Sequence, residues 1–126
     1  CAAEAKWYSD TVTAVMLPEG IAGTEVIARA YRRYNLSLGG GLSKVAGKLF
    51  RIGHLGDMNE VHLMAAISGA EMAMLDCGVT VQPGSGAAAA GNYWRQYAAP
   101  SGLGAPVISK DEHAKNRISG QAIVKG

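Results

Sequence analysis

Phe50-Arg51-Ile52-Gly53-His54-Leu55-Gly56-Asp57 joins two elements of different period, and the fold unfolds outward from it. Lys48 to Gly53 reads as a strand that ends in a glycine turn signal. Asp57-x-x-Glu60 has the form of a capping box, with Asp57 as N-cap and Glu60 reaching back. The helix it opens runs to about Asp76, and Gly78 supplies a left-handed C-cap. Arg51 stands at the end of the strand, inside the approach to this turn. Packing alone does not call for an arginine there. Holding a carboxylate in a fixed orientation does.

Upstream, Thr11-Val12-Thr13-Ala14-Val15-Met16-Leu17 is rich in β-branched residues and ends at Pro18-Glu19-Gly20, so it reads as a strand. Residues 22–34 place Ile27, Ala30, Tyr31 and Tyr34 at helical spacing, with Arg29, Arg32 and Arg33 beside them. Asn35 ends that helix. Leu36-Ser37-Leu38 predicts a short strand running into the Gly39-Gly40-Gly41 loop. Downstream, Pro83-Gly84-Ser85-Gly86 is a break, and residues 87–97 read as a final helix. The order strand, helix, strand, strand, long helix, helix predicts an α/β (α+β) two-layer sandwich. Its small sheet, mixed or antiparallel, is covered by helices on one face.

The long helix carries two apolar stripes. Val61, Met64, Ala65, Met72 and Leu75 form one; Leu63, Ile67, Ala70 and Met74 form the other. A helix apolar over so much of its circumference is covered on more than one side. A small sheet covers one, so a neighbouring domain or subunit is expected. Cys1 to Tyr8 reads as the second half of a helix, and the first residue is not Met. The chain is therefore expected to be part of a longer one. From Ala98 onward Pro100, Gly102, Gly104 and Pro106 dominate, and residues 98–126 read as an extended or poorly ordered tail.

At 126 residues the chain suits one domain able to bury a core. No run of about 18 apolar residues predicts a membrane span. A net charge of +2 with scattered basic residues gives no nucleic-acid footprint. Cys1 and Cys77 form no CxxC pair or disulfide framework, so a reduced, cytoplasmic setting is the expectation.

Several motifs bear on chemistry. Leu38 to Leu49 is glycine-rich, but Leu42 and Leu49 break the phosphate-loop pattern and the loop leads into a strand. His54, Asp57, Glu60 and His62 lack the i, i+4 histidine pair of a helical metal site, so no metal is expected. His54 is expected to hydrogen-bond in the turn, and His62 to face a polar neighbour. Cys77 has no evident basic partner and reads as a small apolar residue. Arg51 admits two readings. One is a surface ion pair with Asp57 or Glu60. The other is a bidentate clamp on a substrate carboxylate. Periodicity does not separate them.

The run from Leu38-Gly39-Gly40-Gly41-Leu42 through Lys48-Leu49-Phe50-Arg51-Ile52-Gly53-His54-Leu55-Gly56-Asp57-Met58-Asn59-Glu60 resembles the C-terminal domain of class V aminotransferases. Within that family it is most similar to the serine–glyoxylate and alanine–glyoxylate group. Val12-Thr13-Ala14-Val15, Pro18-Glu19-Gly20-Ile21 and Arg33-Tyr34-Asn35-Leu36 fit the same template in order. The resemblance covers roughly residues 1–97 and leaves 98–126 unmatched.

The resemblance implies a fold type I enzyme dependent on pyridoxal 5'-phosphate, homodimeric, acting on amino acids and 2-oxo acids. A large N-terminal domain then holds the cofactor through a lysine, and the small C-terminal domain closes over the substrate. Arg51 takes the role of the arginine that binds the substrate α-carboxylate. No cofactor-binding or catalytic residue carries over. Ser43-Lys44 lies in the small-domain loop and is not the cofactor lysine. The chain alone is thus expected to be inactive and not to bind the cofactor. Two alternatives stand beside this. One is a related class V activity, on aminoethylphosphonate, phosphoserine or cysteine sulfur. The other is a non-catalytic α/β module for binding or oligomerisation.

Overall fold

A computed structural model describes residues 4–97. Its strands are β1 (Val12–Met16), β2 (Gly39–Gly40) and β3 (Leu49–Gly53). Its helices are α1 (Gly23–Tyr34), α2 (Glu60–Asp76) and α3 (Ser85–Tyr97). Short 3-10 turns occupy Ala5–Trp7 and Ser43–Val45. The helix expected across Cys1 to Tyr8 is reduced, among the described residues, to the first of these turns. Cys1–Ala3 and the tail 98–126 lie outside the described residues.

The sheet has three strands in the order β1-β3-β2 and is antiparallel throughout, so the mixed alternative is set aside. The strand expected at Leu36-Ser37-Leu38 forms just after it, at Gly39–Gly40. Packing explains the shift. Leu38 is buried and Leu36 packs on the core, and ladder pairing with β3 begins only beyond them.

Side chains alternate between faces along a strand. Phe50 and Ile52 of β3 point to the helices and meet Val26 and Ala30 of α1 and Ala66, Ala70 and Ala73 of α2. Phe50 is fully buried, which stabilises the fold by on the order of 2–3 kcal/mol. Gly23 seats α1 on the start of β3. Its N–H donates to the Gly47 carbonyl at 2.7 Å, and a Cβ there would stand 2.7 Å from the Leu49 carbonyl oxygen. Asn35 ends α1 in the left-handed conformation, as expected from its tolerance of positive φ.

α2 begins later than the sequence pattern suggests. Its N-cap is Asn59, whose Oδ1 accepts the His62 N–H at 3.1 Å, while His62 Nδ1 accepts the Asn59 N–H. The Asp57–Glu60 box is therefore corrected. Gly56 turns the chain at φ +74, and Asp57 is still loop. Gly78 closes the other end as expected. At φ +82 its N–H reaches the Leu75 carbonyl and the Val79 N–H reaches Met74.

The core face of α2 overlaps the second predicted stripe only at Ala70, with Met74 packed beside it, and misses the first. It consists of Ala66, Gly69, Ala70, Glu71 and Ala73. Small residues there let neighbours come close; a Cβ on Gly69 would sit 2.8 Å from Leu36 Cδ2. Val61, Ala65, Met72 and Leu75 of the first stripe are exposed, Val61 by 74%.

Glu71 is buried in mid-helix without a cation. Its carboxylate accepts the backbone N–H groups of Gly84 at 3.0 Å and Gly86 at 2.6 Å, and the Ser85 hydroxyl at 3.4 Å. These are donors at the start of α3 that have no partner within the helix. A negative charge there also meets the positive end of the helix dipole. Glu71 thus caps α3 from another helix.

At the last residue of α2, Asp76 joins that helix to α1. Arg33 Nη1 donates to both its oxygens, and the Tyr34 hydroxyl donates at 2.8 Å. That hydrogen bond to Asp76 holds the Tyr34 phenol above its ordinary 10.0, with burial adding to the rise and Arg33 opposing it.

Two outcomes follow from these helix contacts. Glu71→Ala orphans the donors of α3 and is expected to cost roughly 2–4 kcal/mol, read by denaturant unfolding, with α3 amides losing exchange protection first. The Tyr34 phenol binds its proton more tightly folded than unfolded. Its contribution is complete below the ordinary phenol range and fades as pH rises through the elevated value. Spectrophotometric titration should show one late-ionising tyrosine, absent in Tyr34→Phe.

Candidate functional site

Alternation along β3 sends Arg51 to the sheet face away from the helices, because Phe50 and Ile52 on either side of it are buried. Its cross-strand neighbours are Ala14 on β1 and Gly39 on β2. Neither carries a side chain longer than a methyl, so the guanidinium lies over a low floor. Its Nε donates to the Gly40 carbonyl at 2.8 Å. Among the described residues the two terminal nitrogens have no hydrogen-bond partner, and neither Asp57 nor Glu60 forms the ion pair of the alternative reading.

The arrangement does three things chemically. The strand fixes where the arginine starts. The Gly40 carbonyl fixes how its plane is turned. The remaining edge offers two parallel N–H groups, the geometry that matches a carboxylate or another planar oxyanion. Arg51 is half-buried on that face. The larger clefts lie elsewhere; one, of about 670 Å³, runs between α1 and the end of α2 and is lined by Arg29, Arg32, Arg33 and Asp76.

The other candidate residues lie apart from this site. His54 leaves β3 and locks it to the start of β1. Its Nδ1 bonds the Asp10 carbonyl at 3.1 Å and its Nε2 bonds Thr13 Oγ1 at 3.0 Å. Because a carbonyl only accepts, Nδ1 carries the proton, and in the neutral ring the Thr13 hydroxyl donates to Nε2. His62 is the helix cap described above. Cys77 is a half-buried free thiol at the end of α2. No three His, Cys, Asp or Glu among the described residues group as metal ligands. No described helix is long and apolar enough to cross a membrane.

Among the described residues the arrangement at Arg51 suits an anion, and no lysine stands beside it in a closed pocket. Lys6, Lys44 and Lys48 are exposed, and the glycine-rich loop folds as a 3-10 turn at Ser43–Val45 instead of opening a helix onto a phosphate. The Gly40 carbonyl is silent in the sequence, since a backbone acceptor has no side-chain signature. Glu71 is likewise silent in the sequence, since two of its partners are backbone N–H groups at the start of another helix.

No family model matches the chain. A serine–glyoxylate aminotransferase of Methylorubrum extorquens is 59% identical to it over 96 residues, 76% of this chain and 24% of that enzyme. The chain belongs to the class V aminotransferase family, over its C-terminal small domain. An L-aspartate–glyoxylate aminotransferase of Paracoccus denitrificans is 44% identical over 96 residues, covering 76% of this chain and 24% of the enzyme. The crystal structure of pyridoxamine–pyruvate aminotransferase from Mesorhizobium loti superposes with a TM-score of 0.68 at 33% identity, over 72% of this chain and 24% of that one. The fold of the small domain is thus shared among relatives named for different amino donors. The chain spans about a quarter of the length of these relatives.

The His54 contacts generate a separate expectation. His54→Ala removes two long-range hydrogen bonds between the start of β1 and the end of β3. A loss of roughly 1–3 kcal/mol by thermal unfolding is expected.

Proposed function

We propose that this chain is the substrate-anchoring small domain of a pyridoxal 5'-phosphate-dependent aminotransferase that moves an amino group from serine or alanine to glyoxylate. The observation that carries the proposal is the placement of Arg51. It is a guanidinium turned by a backbone carbonyl, with its terminal edge unpaired on the sheet face away from the helices. The 59% identity to a serine–glyoxylate aminotransferase supports the same reading. The amino donor is the least constrained part, because an aspartate–glyoxylate aminotransferase matches the same domain.

In this role Arg51 binds the α-carboxylate. Donor amino acid and acceptor 2-oxo acid both carry that group, so one anchor serves both halves of the reaction. A bidentate contact fixes the position of the carboxylate and also its rotation, which orients the neighbouring carbon for reaction. The cofactor, when bound by the remainder of the protein, supplies the electron sink for the bonds at that carbon. The chain's own share is binding and orientation. The intact protein is a cytoplasmic homodimer in this proposal, and a large N-terminal domain precedes the small one. The exposed stripe Val61, Ala65, Met72 and Leu75 is the surface such a neighbour would cover. A non-catalytic assembly module would use the same stripe, but it gives no role to the orientation of Arg51.

In the intact protein Arg51→Ala is expected to raise the KM of both amino donor and 2-oxo acid by about 10²-fold. Arg51→Lys should fail similarly, because an ammonium group lacks both the fork and the Nε that Gly40 holds. Unchanged KM values for donor and acceptor in Arg51→Ala would overturn the role. The chain alone, mixed with pyridoxal 5'-phosphate and borohydride, should retain no cofactor on a specific lysine.

A further inference from the structure

The Gly40 carbonyl that turns Arg51 is not itself held by the sheet. The His54 N–H donates to the Thr11 carbonyl and the Leu17 N–H to the Lys48 carbonyl. Backbone groups alternate sides along a strand, so in the register of β1 on β3 those of Phe50 and Ile52 face β1, and those of Leu49, Arg51 and Gly53 face β2. Gly39 is the residue opposite Arg51, so Gly39 bonds β3 and the Gly40 carbonyl points to the outer edge of β2. Among the described residues no strand lies beyond that edge. Arg51 reaches the carbonyl by passing over Gly39, where a Cβ would lie 3.4 Å from both its Cβ and its Nε. What fixes the carbonyl comes from the chain that follows it. The Gly41 nitrogen shares one rigid plane with the Gly40 carbonyl. Gly41 has no positive φ, so its reason to be glycine is space. A Cβ there would run into the Val45 carbonyl oxygen, with the carbonyl carbon at 2.9 Å and Leu49 Cγ at 3.1 Å. These neighbours are fixed. The Val45 carbonyl accepts the Lys48 N–H at 3.1 Å, the Val45 N–H donates to the Leu42 carbonyl at 3.1 Å, and Gly23 of α1 grips the same loop through the Gly47 carbonyl at 2.7 Å. Leu49 is buried.

We infer that Gly41 is a positioning residue for Arg51: its bare Cα seats against the Val45 carbonyl, which sets the Gly40–Gly41 peptide plane and with it the carbonyl that turns the guanidinium. The inference rests on the proposed role of Arg51 and adds to it the part of the fold that aims the anchor, the loop 42–48. A methyl at position 41 presses backbone against a hydrogen-bonded backbone, so the plane carrying the Gly40 carbonyl is what moves. Arg51 then keeps its charge and loses the acceptor that fixes its rotation. A carboxylate is still attracted but no longer held in one orientation, so the loss is smaller than on deleting the guanidinium and falls on donor and acceptor alike.

The test compares the intact protein as wild type, Gly41→Ala, Arg51→Ala and the double variant, each checked for cooperative unfolding. Two quantities are read: kcat/KM for amino donor and 2-oxo acid, and exchange of the Arg51 Nε–H with water by NMR. Gly41→Ala should lower both kcat/KM values about tenfold and speed the Nε–H exchange by at least about as much. In the Arg51→Ala background the same change should cost nothing further, because residues that act as a unit are not additive. Gly69→Ala is the control for a glycine lost elsewhere: its Cβ crowds only the end of the Leu36 side chain, and it should leave both quantities as in wild type. A Gly41→Ala loss of equal size in both backgrounds, an Nε–H that exchanges as in wild type, or an equal change in Gly69→Ala overturns the inference, and leaves the anchor standing where Arg51→Ala raises both KM values. Unchanged KM values in Arg51→Ala overturn the anchor and the inference together. If Gly41→Ala does not fold, Val45→Gly decides. It removes an exposed side chain, adds no atom and frees the backbone on which Gly41 rests, so the Nε–H exchange should still quicken, and exchange unchanged in that variant overturns the inference.

Discussion

Everything in this domain depends on β3 keeping its register. It is the central strand, bonded on both sides, and only five residues long. Phe50 and Ile52 are committed to the core, so Arg51 between them has only the other face. A slip of one residue would bury a guanidinium and expose a phenyl ring, and both changes are unfavourable. The same apolar contacts that stabilise the sandwich therefore aim the arginine. Burial and function are two faces of one alternation.

The helices are arranged to leave that alternation undisturbed. α1 is seated by a glycine contact with the start of β3. α2 presents alanine and glycine to its neighbours, which gives close approach with little side-chain volume. α3 is held by a carboxylate inside α2 in place of a capping side chain of its own. Polar contacts thus set the helix ends, while a small apolar set fills the middle. The result is a thin two-layer body whose second sheet face is left to other uses.

Much of this was legible in the residues. β1, α1 and β3 follow from β-branched runs, helical spacing and turn signals, and Asn35 and Gly78 end their helices for the reason their types suggest. The start of α2 was misread, because Asp57 and Glu60 fit a familiar spacing while the true cap pairs Asn59 with a histidine. The apolar stripes of α2 were visible, but hydrophobicity alone did not show that the smallest residues, not the largest, face the core. The brief strand at Gly39–Gly40 could not be read from propensity, since glycine disfavours strands. Arg51 was legible as an exception to packing, and its role came from family resemblance. The Gly40 carbonyl that turns it was not legible at all, because backbone acceptors are the same in every sequence.

The pinning of Arg51 at both ends has a mechanical meaning. The Cα is held by β3 and the Nε by β2, so the long, normally adaptable side chain behaves as part of the sheet. Such an arm cannot correct for misplacement by changing rotamer. An anion gripped by its terminal nitrogens is then tied to the orientation of the whole body, and a small tilt of the sandwich moves that anion by a lever's arc. Alignment tolerance is set by how the domain sits on its neighbours, not by slack within the site.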